Sequence, residues 1–242
     1  MFEYFDVIRD TLDKVQASEG QNIERAAEMV ADSISKGRPM HYFAAGHSHM
    51  LGEELFYRAG GLVPVNVLFE PSLMMHNGAA KSSKMERLPG FARIILEESC
   101  VKPGDVMVVV STSGANAVPV QMAIEARNMG VHVVAVTSIT GSRGSVPRNP
   151  EGKRLFELGD VVIDSHVPCG DASVSIDGLE QKIGPISTVI GASILNTLVV
   201  RAIEKLMEKG MTPPVFMSAN IPGGAEHNEA LLTQYKALIR GF

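Results

Sequence analysis

Three hydroxyl side chains and a glycine follow one another at Ser111, Thr112, Ser113 and Gly114, directly after an apolar run that predicts a buried strand. A phosphate group needs several hydrogen-bond donors that converge on its oxygens. Short hydroxyl side chains supply donors without bulk, a glycine lets the backbone approach closely, and the next helix adds free N–H groups at its positive end. Asn116 stands where it can cap that helix or contact a ligand. The stretch predicts a phosphate-binding loop, with a hydroxyl-rich helix cap as the alternative.

A second predicted strand ends in residues of the same kind. Gly46 and Ser48 follow the apolar run at 41–46 and precede another predicted helix. In a parallel sheet with strand order 2-1-3-4-5, strands one and three are neighbours, and ligands bind at their carboxyl ends. We therefore predict that Gly46, Ser48 and the hydroxyls at 111–113 face one ligand.

Glutamate and histidine side chains that could move protons lie close to the first of these turns. His47 and His49 belong to the turn itself, and Glu53 and Glu54 stand about one helical turn further on. Because adjacent helical residues point in different directions, at most one of the two glutamates can face the site. We take Glu54 as the catalytic candidate. A solvated helix face or a salt bridge is the alternative for both.

Two more places offer an acid or a base. His76 follows the second predicted strand, in a loop whose pattern is not that of a core segment. Glu226 and His227 follow a pair of glycines at the start of the last predicted helix, where they are either catalytic or engaged in capping and exposed. We predict catalytic roles for His76, Glu226 and His227.

Other polar residues carry weaker signals. Asp171, Glu180 and Lys182 lie in a glycine-marked loop and are best explained as surface charges. His47, His49, His76 and Cys169 do not have the spacing of a recognised zinc site. We therefore predict no metal and no redox cofactor.

The elements that must position these residues alternate between strands and helices. Five apolar runs predict strands at 41–46, 63–69, 106–112, 132–138 and 161–167. Several of them are apolar on both faces, which is typical of a parallel sheet covered by helices on both sides. The sequence predicts an α/β fold, a three-layer α/β/α sandwich with a flavodoxin-like five-stranded parallel sheet and N-terminal helices.

Three segments follow from this pattern. We predict an N-terminal helical segment at residues 1–36, an α/β domain at residues 37–210, and a C-terminal loop and helix at residues 211–242 that are expected to complete the site. A long apolar helix is predicted at 186–208. Its small and apolar residues suit a helix interface with a partner, namely Gly191, Ala192, Ile194, Leu195 and Leu198. The segments at 70–89, 140–152, 168–185 and 211–225 are predicted to be irregular, and some of them to line a site.

Composition excludes several classes of protein. The chain has a formal net charge of −5, so no nucleic-acid partner is expected. Polar residues interrupt the apolar segment 186–200, which therefore predicts a buried helix and not a membrane span. Two cysteines and the lack of a cationic, apolar leader are typical of a cytoplasmic protein.

The stretch "VVVSTSGANAVPVQMAIEARNMGVHVVAVTS" resembles the signature of the sugar isomerase (SIS) domain family, and "GHSHMLGEELFYRAGG" resembles the family's first loop and helix. The resemblance covers about 35–210. It implies that Ser111, Thr112, Ser113 and Asn116 bind the phosphate of a sugar and that Ser48 belongs to the first loop. The chain is also similar to a bacterial group of single-domain SIS proteins described as phosphoheptose isomerase-like. Its first loop lacks the Asn-Gly-Gly-Ser pattern of true phosphoheptose isomerases.

The resemblance also implies an activity and an assembly. It favours an aldose–ketose isomerase that acts on a sugar phosphate through an enediol, with sites at the junctions of a homodimer or homotetramer. A late Glu or His from a neighbouring subunit often completes such sites. Two alternatives stay open, namely a phosphosugar sensor without turnover and a lyase or etherase that acts on an amino-sugar phosphate.

Overall fold

A five-stranded parallel sheet forms the centre of the molecule in the computed structural model, which describes residues 2–241. The strand order is β2-β1-β3-β4-β5, as predicted for a flavodoxin-like sheet. The strands are β1 Met40–Ala44, β2 Val65–Val67, β3 Val106–Val110, β4 His132–Thr137 and β5 Val161–Asp164. Residues 1 and 242, the outermost residues of the predicted terminal segments, lie outside the described part of the chain.

Eight α-helices accompany the sheet in the described residues, together with short 3-10 turns. The helices are α1 Glu3–Ser35, α2 Met50–Leu55, α3 Ala79–Met85, α4 Phe91–Glu97, α5 Ala117–Asn128, α6 Ile139–Arg143, α7 Ser187–Glu208 and α8 Gly224–Tyr235. A small antiparallel hairpin, β6 Ala172–Val174 and β7 Ile183–Pro185, precedes α7.

Two apolar clusters cover the two faces of the sheet. One contains the buried faces of α1, α2 and α7, and the other contains those of α4 and α5. Residues of β3 alternate between the clusters, since Val108 belongs to the first and Met107 and Val109 belong to the second. The predicted three-layer α/β/α sandwich is therefore confirmed.

The long apolar helix faces its own chain. In α7, the buried residues Gly191, Ile194, Leu195 and Leu198 pack into the core beside α1 and the sheet. A Cβ atom at Gly191 would lie only 2.6 Å from Leu51 Cδ1, so the glycine permits close contact between α7 and α2. The expectation that these residues form a partner interface is wrong, because their side chains are used within the chain.

Other boundaries differ from the prediction for local reasons. The N-terminal segment is one continuous helix, α1, instead of several. The helix after the first turn ends at Leu55, well before the glycine pair at 60–61, because Phe56 is extended and Tyr57 has a positive φ of 49°. The segments at 70–89 and 168–185 hold α3 and the β6–β7 hairpin, which are too short and polar to show a clear periodicity.

The C-terminal segment runs along the sheet edge formed by β2. The backbone pairs Val215 with Leu62, just before β2 begins. Further on, the N–H of Arg240 donates to Asn66 Oδ1 on β2 at 2.9 Å. The segment thus covers an edge strand that would otherwise expose polar backbone groups. No helix among residues 2–241 has the length and apolar character that crossing a membrane requires.

Candidate functional site

The turn after β3 is closed by its own first hydroxyl group. Ser111 Oγ accepts a hydrogen bond from the N–H of Gly114 at 3.2 Å, and Ser111 is buried. Thr112 and Ser113 between them are half-buried. This bond bends the chain back on itself directly at the carboxyl end of the strand, so that the two middle residues stand at the edge of the sheet.

The backbone and the close packing at position 114 strongly favour glycine. Its φ is +55°, and an added Cβ would lie 2.7 Å from Thr137 Oγ1 and 3.1 Å from Ser142 Oγ. Thr137 also donates its hydroxyl to the Thr112 carbonyl at 3.3 Å. The turn after β3 is therefore packed tightly against the end of β4, which fixes its shape.

Hydrogen-bond donors remain unused in this turn. Within residues 2–241, neither the N–H groups nor the hydroxyl groups of Thr112 and Ser113 have a hydrogen-bond partner. Donors that are half-buried and unpaired at the end of a strand are available to an anion.

The helix after the turn is not capped by a side chain. Asn116 is the N-cap residue of α5 and has the extended backbone of that position, yet it makes no capping hydrogen bond. The N–H of Val118 donates instead to the Glu86 carbonyl at 3.0 Å. The positive end of α5 thus begins beside the unpaired donors of Thr112 and Ser113.

Glu86 is a functional candidate that the sequence pattern did not reveal. It is half-buried and lies against the amino end of α5. Burial raises the pKa of its carboxyl group, while the Asn116 amide and the guanidinium groups of Arg87 and Arg148 act in the opposite direction. A perturbed carboxyl group beside a candidate anion site is a signal that only the folded chain provides.

The first turn lies next to the turn after β3. Ala44 at the end of β1 pairs with Val110 at the end of β3, and neighbouring strands are about 4.8 Å apart. The 3-10 turn Gly46–His49 follows β1 at once. Ser48 is half-buried, and its carbonyl accepts the buried Tyr42 hydroxyl at 2.7 Å. Its own hydroxyl group has no partner within residues 2–241.

Two histidines meet at this turn. His49 is buried, and its Nδ1 lies 2.5 Å from the Gly46 carbonyl oxygen, while its Nε2 lies 3.3 Å from Glu53 Oε1. The exposed ring of His76, which follows β2, lies with its centroid 5.8 Å from that of His49. The structure therefore brings the predicted residue His76 to the first turn.

The two adjacent glutamates face different neighbours. Glu53 contacts His49. Glu54 forms an ion pair with Arg58 and accepts a hydrogen bond from Asn196 Nδ2 of α7 at 3.2 Å. The described contacts thus place Glu53, and not the predicted Glu54, beside the histidines.

Glu226 and His227 lie in a different part of the chain. Both are exposed at the start of α8, and His227 Nε2 lies 2.9 Å from the Val215 carbonyl. Val215 pairs with Leu62 before β2, whereas His76 follows that strand. No described contact joins Glu226 or His227 to the turns after β1 and β3.

A second polar group at the same sheet edge was also missed. His166, after β5, lies with Nε2 2.7 Å from Ser18 Oγ and 3.6 Å from Glu19 Oε1. Its Nδ1 is 3.7 Å from Asp164 Oδ2, and its φ of +52° is strained for a histidine. Glu19 is buried and belongs to α1. The sequence Asp-Ser-His at the end of a predicted strand could have indicated a polar site. Its contact with Glu19 could not be predicted, because Glu19 is distant in the sequence.

Metal ligands do not gather in the described part of the chain. No group of three or more His, Cys, Asp or Glu side chains in residues 2–241 has an arrangement that could hold a metal ion. His49 and His76 share their surroundings with Glu53, but their contacts are those of a hydrogen-bonded and ring-packed pair.

Comparison with known proteins gives both a family and a fold. The model of the SIS domain matches residues 3–138. A UPF0309 protein of Geobacillus kaustophilus is 41% identical over 237 residues, which cover 98% of this chain and 94% of the relative. A UPF0309 protein of Caldanaerobacter subterraneus is 41% identical over 240 residues, which cover 98% of each chain.

Solved structures share the architecture at low identity. A phosphoheptose isomerase from Francisella tularensis superposes with a TM-score of 0.53 and 16% identity, covering 84% of this chain and 95% of the other. The Vibrio vulnificus NanR protein complexed with ManNAc-6P superposes with a TM-score of 0.50 and 17% identity, covering 98% of this chain and 69% of the other. At such identity these likenesses establish the fold alone.

Proposed function

Because the chain belongs to the SIS-domain family and to the UPF0309 proteins within it, we propose that it binds a sugar phosphate at the carboxyl edge of its sheet. The observation that carries this proposal is the set of unpaired donors at Thr112 and Ser113, next to the uncapped start of α5. The phosphate group accepts hydrogen bonds from these donors. The likeness to a structure that contains ManNAc-6P is consistent with this ligand class.

The sugar extends from the phosphate toward the first turn. Gly46 and Ser48 follow β1, which is hydrogen-bonded to β3, so the unpaired Ser48 hydroxyl stands on the next strand. Asn116, the N-cap residue of α5, is assigned to the same ligand. In this arrangement Ser111 shapes the loop through its bond to Gly114, and Thr112, Ser113 and Ser48 supply the donors.

The reaction that fits these groups is aldose–ketose isomerisation. A base removes the proton from C2 of the aldose, and an enediol forms as the C1 carbonyl oxygen gains a proton. The proton is then delivered to C1 while the O2 hydroxyl loses its proton, so that no atom is gained or lost. We assign the proton transfers to His76, whose ring packs against His49, which in turn contacts Glu53.

The remaining catalytic candidates enter from outside this cluster. Glu226 and His227 are exposed and have no described contact with the two turns, and we propose that they act in the site of a neighbouring copy within a homodimer or homotetramer. Glu54 is held by Arg58 and Asn196 and takes part only if those contacts open. In this proposal the C-terminal segment 211–242 contributes residues to the site of a neighbouring copy and does not form a separate site.

A second function, a sensor that binds the sugar phosphate without turnover, is favoured by one observation. Among the four predicted catalytic residues, all within the described part of the chain, only the exposed His76 lies at the two turns, because Glu54, Glu226 and His227 are engaged or placed elsewhere. A binding site needs the donors of the loop but no proton-transfer pair.

A thermal-shift panel followed by turnover separates these functions. Each sugar phosphate is compared with its dephosphorylated sugar, since a ligand that binds only the folded state raises Tm. The stabilising compound is then incubated with the protein in D2O. Deuterium at C1 of a ketose product, or at C2 of an aldose product, supports the isomerase, and binding without exchange supports the sensor. A non-isomeric product identifies a lyase or etherase, and a panel in which no phosphorylated sugar raises Tm contradicts the proposal.

A further inference from the structure

Glu86 is fixed at the amino end of α5 through its backbone. Its carbonyl accepts the N–H of Val118 at 3.0 Å, and its own N–H donates to the Ser82 carbonyl at 2.9 Å. Its half-buried carboxyl group interacts with the side chain of Asn116, the N-cap residue of α5. No sequence motif announces this pairing, because the two residues come from different connections of the sheet.

Asn116 cannot cap its helix in the usual manner. An asparagine at the N-cap accepts a hydrogen bond from the second or third helical residue. The second residue, Val118, already donates to Glu86, and the third, Pro119, has no N–H. The Asn116 amide is therefore left for the Glu86 carboxyl group, which sets the direction of its remaining polar atoms.

The charges around Glu86 come from two segments. Arg87 follows Glu86 directly in the chain. Arg148 belongs to the loop after α6, and its backbone N–H donates to the Ala115 carbonyl at 2.7 Å. The neutral side-chain amide of Asn116, at the start of α5, faces the Glu86 carboxyl group. These groups compensate only part of the burial of the carboxylate. A dianion at the Ser111–Ser113 loop adds repulsion, so that protonation of Glu86 and binding of the anion favour each other.

We propose that Glu86 is a positioning residue of the anion site, which orients the Asn116 amide and makes the binding of a tetrahedral dianion depend on its own protonation. The inference rests on the proposed function, since it requires the ligand's phosphate to occupy the turn after β3. It adds a regulatory property, namely that binding weakens as the pH rises through the range in which Glu86 ionises.

Sulfate is a suitable probe because it is a tetrahedral dianion that does not titrate near neutral pH. Its affinity is measured by thermal shift between about pH 5 and pH 8 for the wild type, Glu86→Gln and Glu86→Ala. Glutamine keeps the amide contact without the charge. At the acidic end it is expected to bind sulfate within about twofold of the wild type, and at the alkaline end up to about tenfold more tightly. Alanine releases Asn116 and is expected to bind more weakly than glutamine throughout.

Two results would overturn the inference. Equal pH slopes for the wild type and Glu86→Gln exclude the proton linkage, because the histidines of the first turn are present in both proteins. Equal affinities of Glu86→Gln and Glu86→Ala exclude positioning through Asn116. Failure of the proposed function looks different, since the wild type then binds neither sulfate nor any sugar phosphate, or Ser113→Ala binds them unchanged.

Discussion

The ring of His76 lies against the ring of His49, with centroids 5.8 Å apart, and so joins the turn after β2 to the turn after β1. His49 is buried and held by Gly46 and Glu53, whereas His76 is exposed. The pair therefore has one fixed member and one member that is open to a ligand.

Replacement of His76 separates ring packing from proton transfer. His76→Phe keeps a ring against His49 but cannot carry a proton. For an isomerase acting through His76, we expect sugar-phosphate affinity within about threefold of the wild type and turnover lower by roughly 10²–10⁴-fold. The measurements are equilibrium binding and the initial rate for the stabilising sugar phosphate. Undiminished turnover in His76→Phe would remove His76 from the mechanism.

The Tyr42 hydroxyl group stabilises the first turn by a buried hydrogen bond. It is buried and donates to the Ser48 carbonyl at 2.7 Å. Tyr42→Phe leaves that carbonyl without its partner and is expected to lower the free energy of unfolding by about 1 kcal/mol, which corresponds to a Tm lower by roughly 2–4 °C.

The exposed Tyr4, whose hydroxyl donates to the Pro185 carbonyl at 2.7 Å, provides the control. Tyr4→Phe is expected to change Tm less, because water replaces the lost bond. Equal effects of the two substitutions in the same scan would show that the buried bond does not support the turn.

Gly114→Ala tests the packing of the turn after β3. The added Cβ meets Thr137 and the left-handed backbone is unfavourable for alanine, so we expect a loss of about 2–4 kcal/mol in the free energy of unfolding. Denaturant unfolding followed by circular dichroism gives this value.

Gly152→Ala is the matched control. Gly152 has a similar φ of +61° but open space around its Cβ position, so only the backbone cost of roughly 1–2 kcal/mol applies. If Gly114→Ala were no more destabilising than Gly152→Ala, the close contact with Thr137 would not be present in solution.

The raised pKa of Glu86 leads to a prediction of how the stability of the folded protein changes with pH. Because burial raises its folded pKa above the unfolded value, its contribution is fully present below the unfolded pKa and is lost as the pH rises through the folded pKa. Glu86→Gln should therefore gain stability relative to the wild type as the pH rises from about 4 to about 7.

Thermal unfolding at several pH values measures this difference, and Glu229→Gln on the exposed surface of α8 is the control. A wild type that gains stability relative to Glu86→Gln over the same range would contradict the assigned direction.

The fold was accessible from the sequence because its five strands are apolar runs separated by helical patterns. The strand order 2-1-3-4-5 was predicted as that of a flavodoxin-like sheet, in which the two hydroxyl-bearing turns are neighbours, and it is confirmed. The short elements α3, β6 and β7 were not predicted, since a few polar residues show no periodicity. The sequence shows that α7 has an apolar face, but it does not show whether this face packs against the chain's own core or against a partner.

The candidate site could be proposed from the sequence where its residues are neighbours in the chain. The hydroxyls of Ser111, Thr112 and Ser113 and the turn at Ser48 stood out by their position at strand ends, and their role in binding stays a prediction. Glu86 and the contact of Glu19 with His166 are products of folding, because they join residues from separate segments. The roles of Glu54, Glu226 and His227 stay predictions, since their described contacts lie outside the two turns.

The most direct test of the account compares equilibrium binding of one stabilising sugar phosphate and its dephosphorylated sugar to the wild type, Ser113→Ala and Thr197→Ala. Thr197 is an exposed hydroxyl residue of α7, outside the segments assigned to the site. We predict that the wild type and Thr197→Ala bind the phosphorylated sugar equally and the free sugar far more weakly. Ser113→Ala should lose about tenfold in affinity for the phosphorylated sugar only. Unchanged binding by Ser113→Ala would contradict the assignment of the phosphate to this turn.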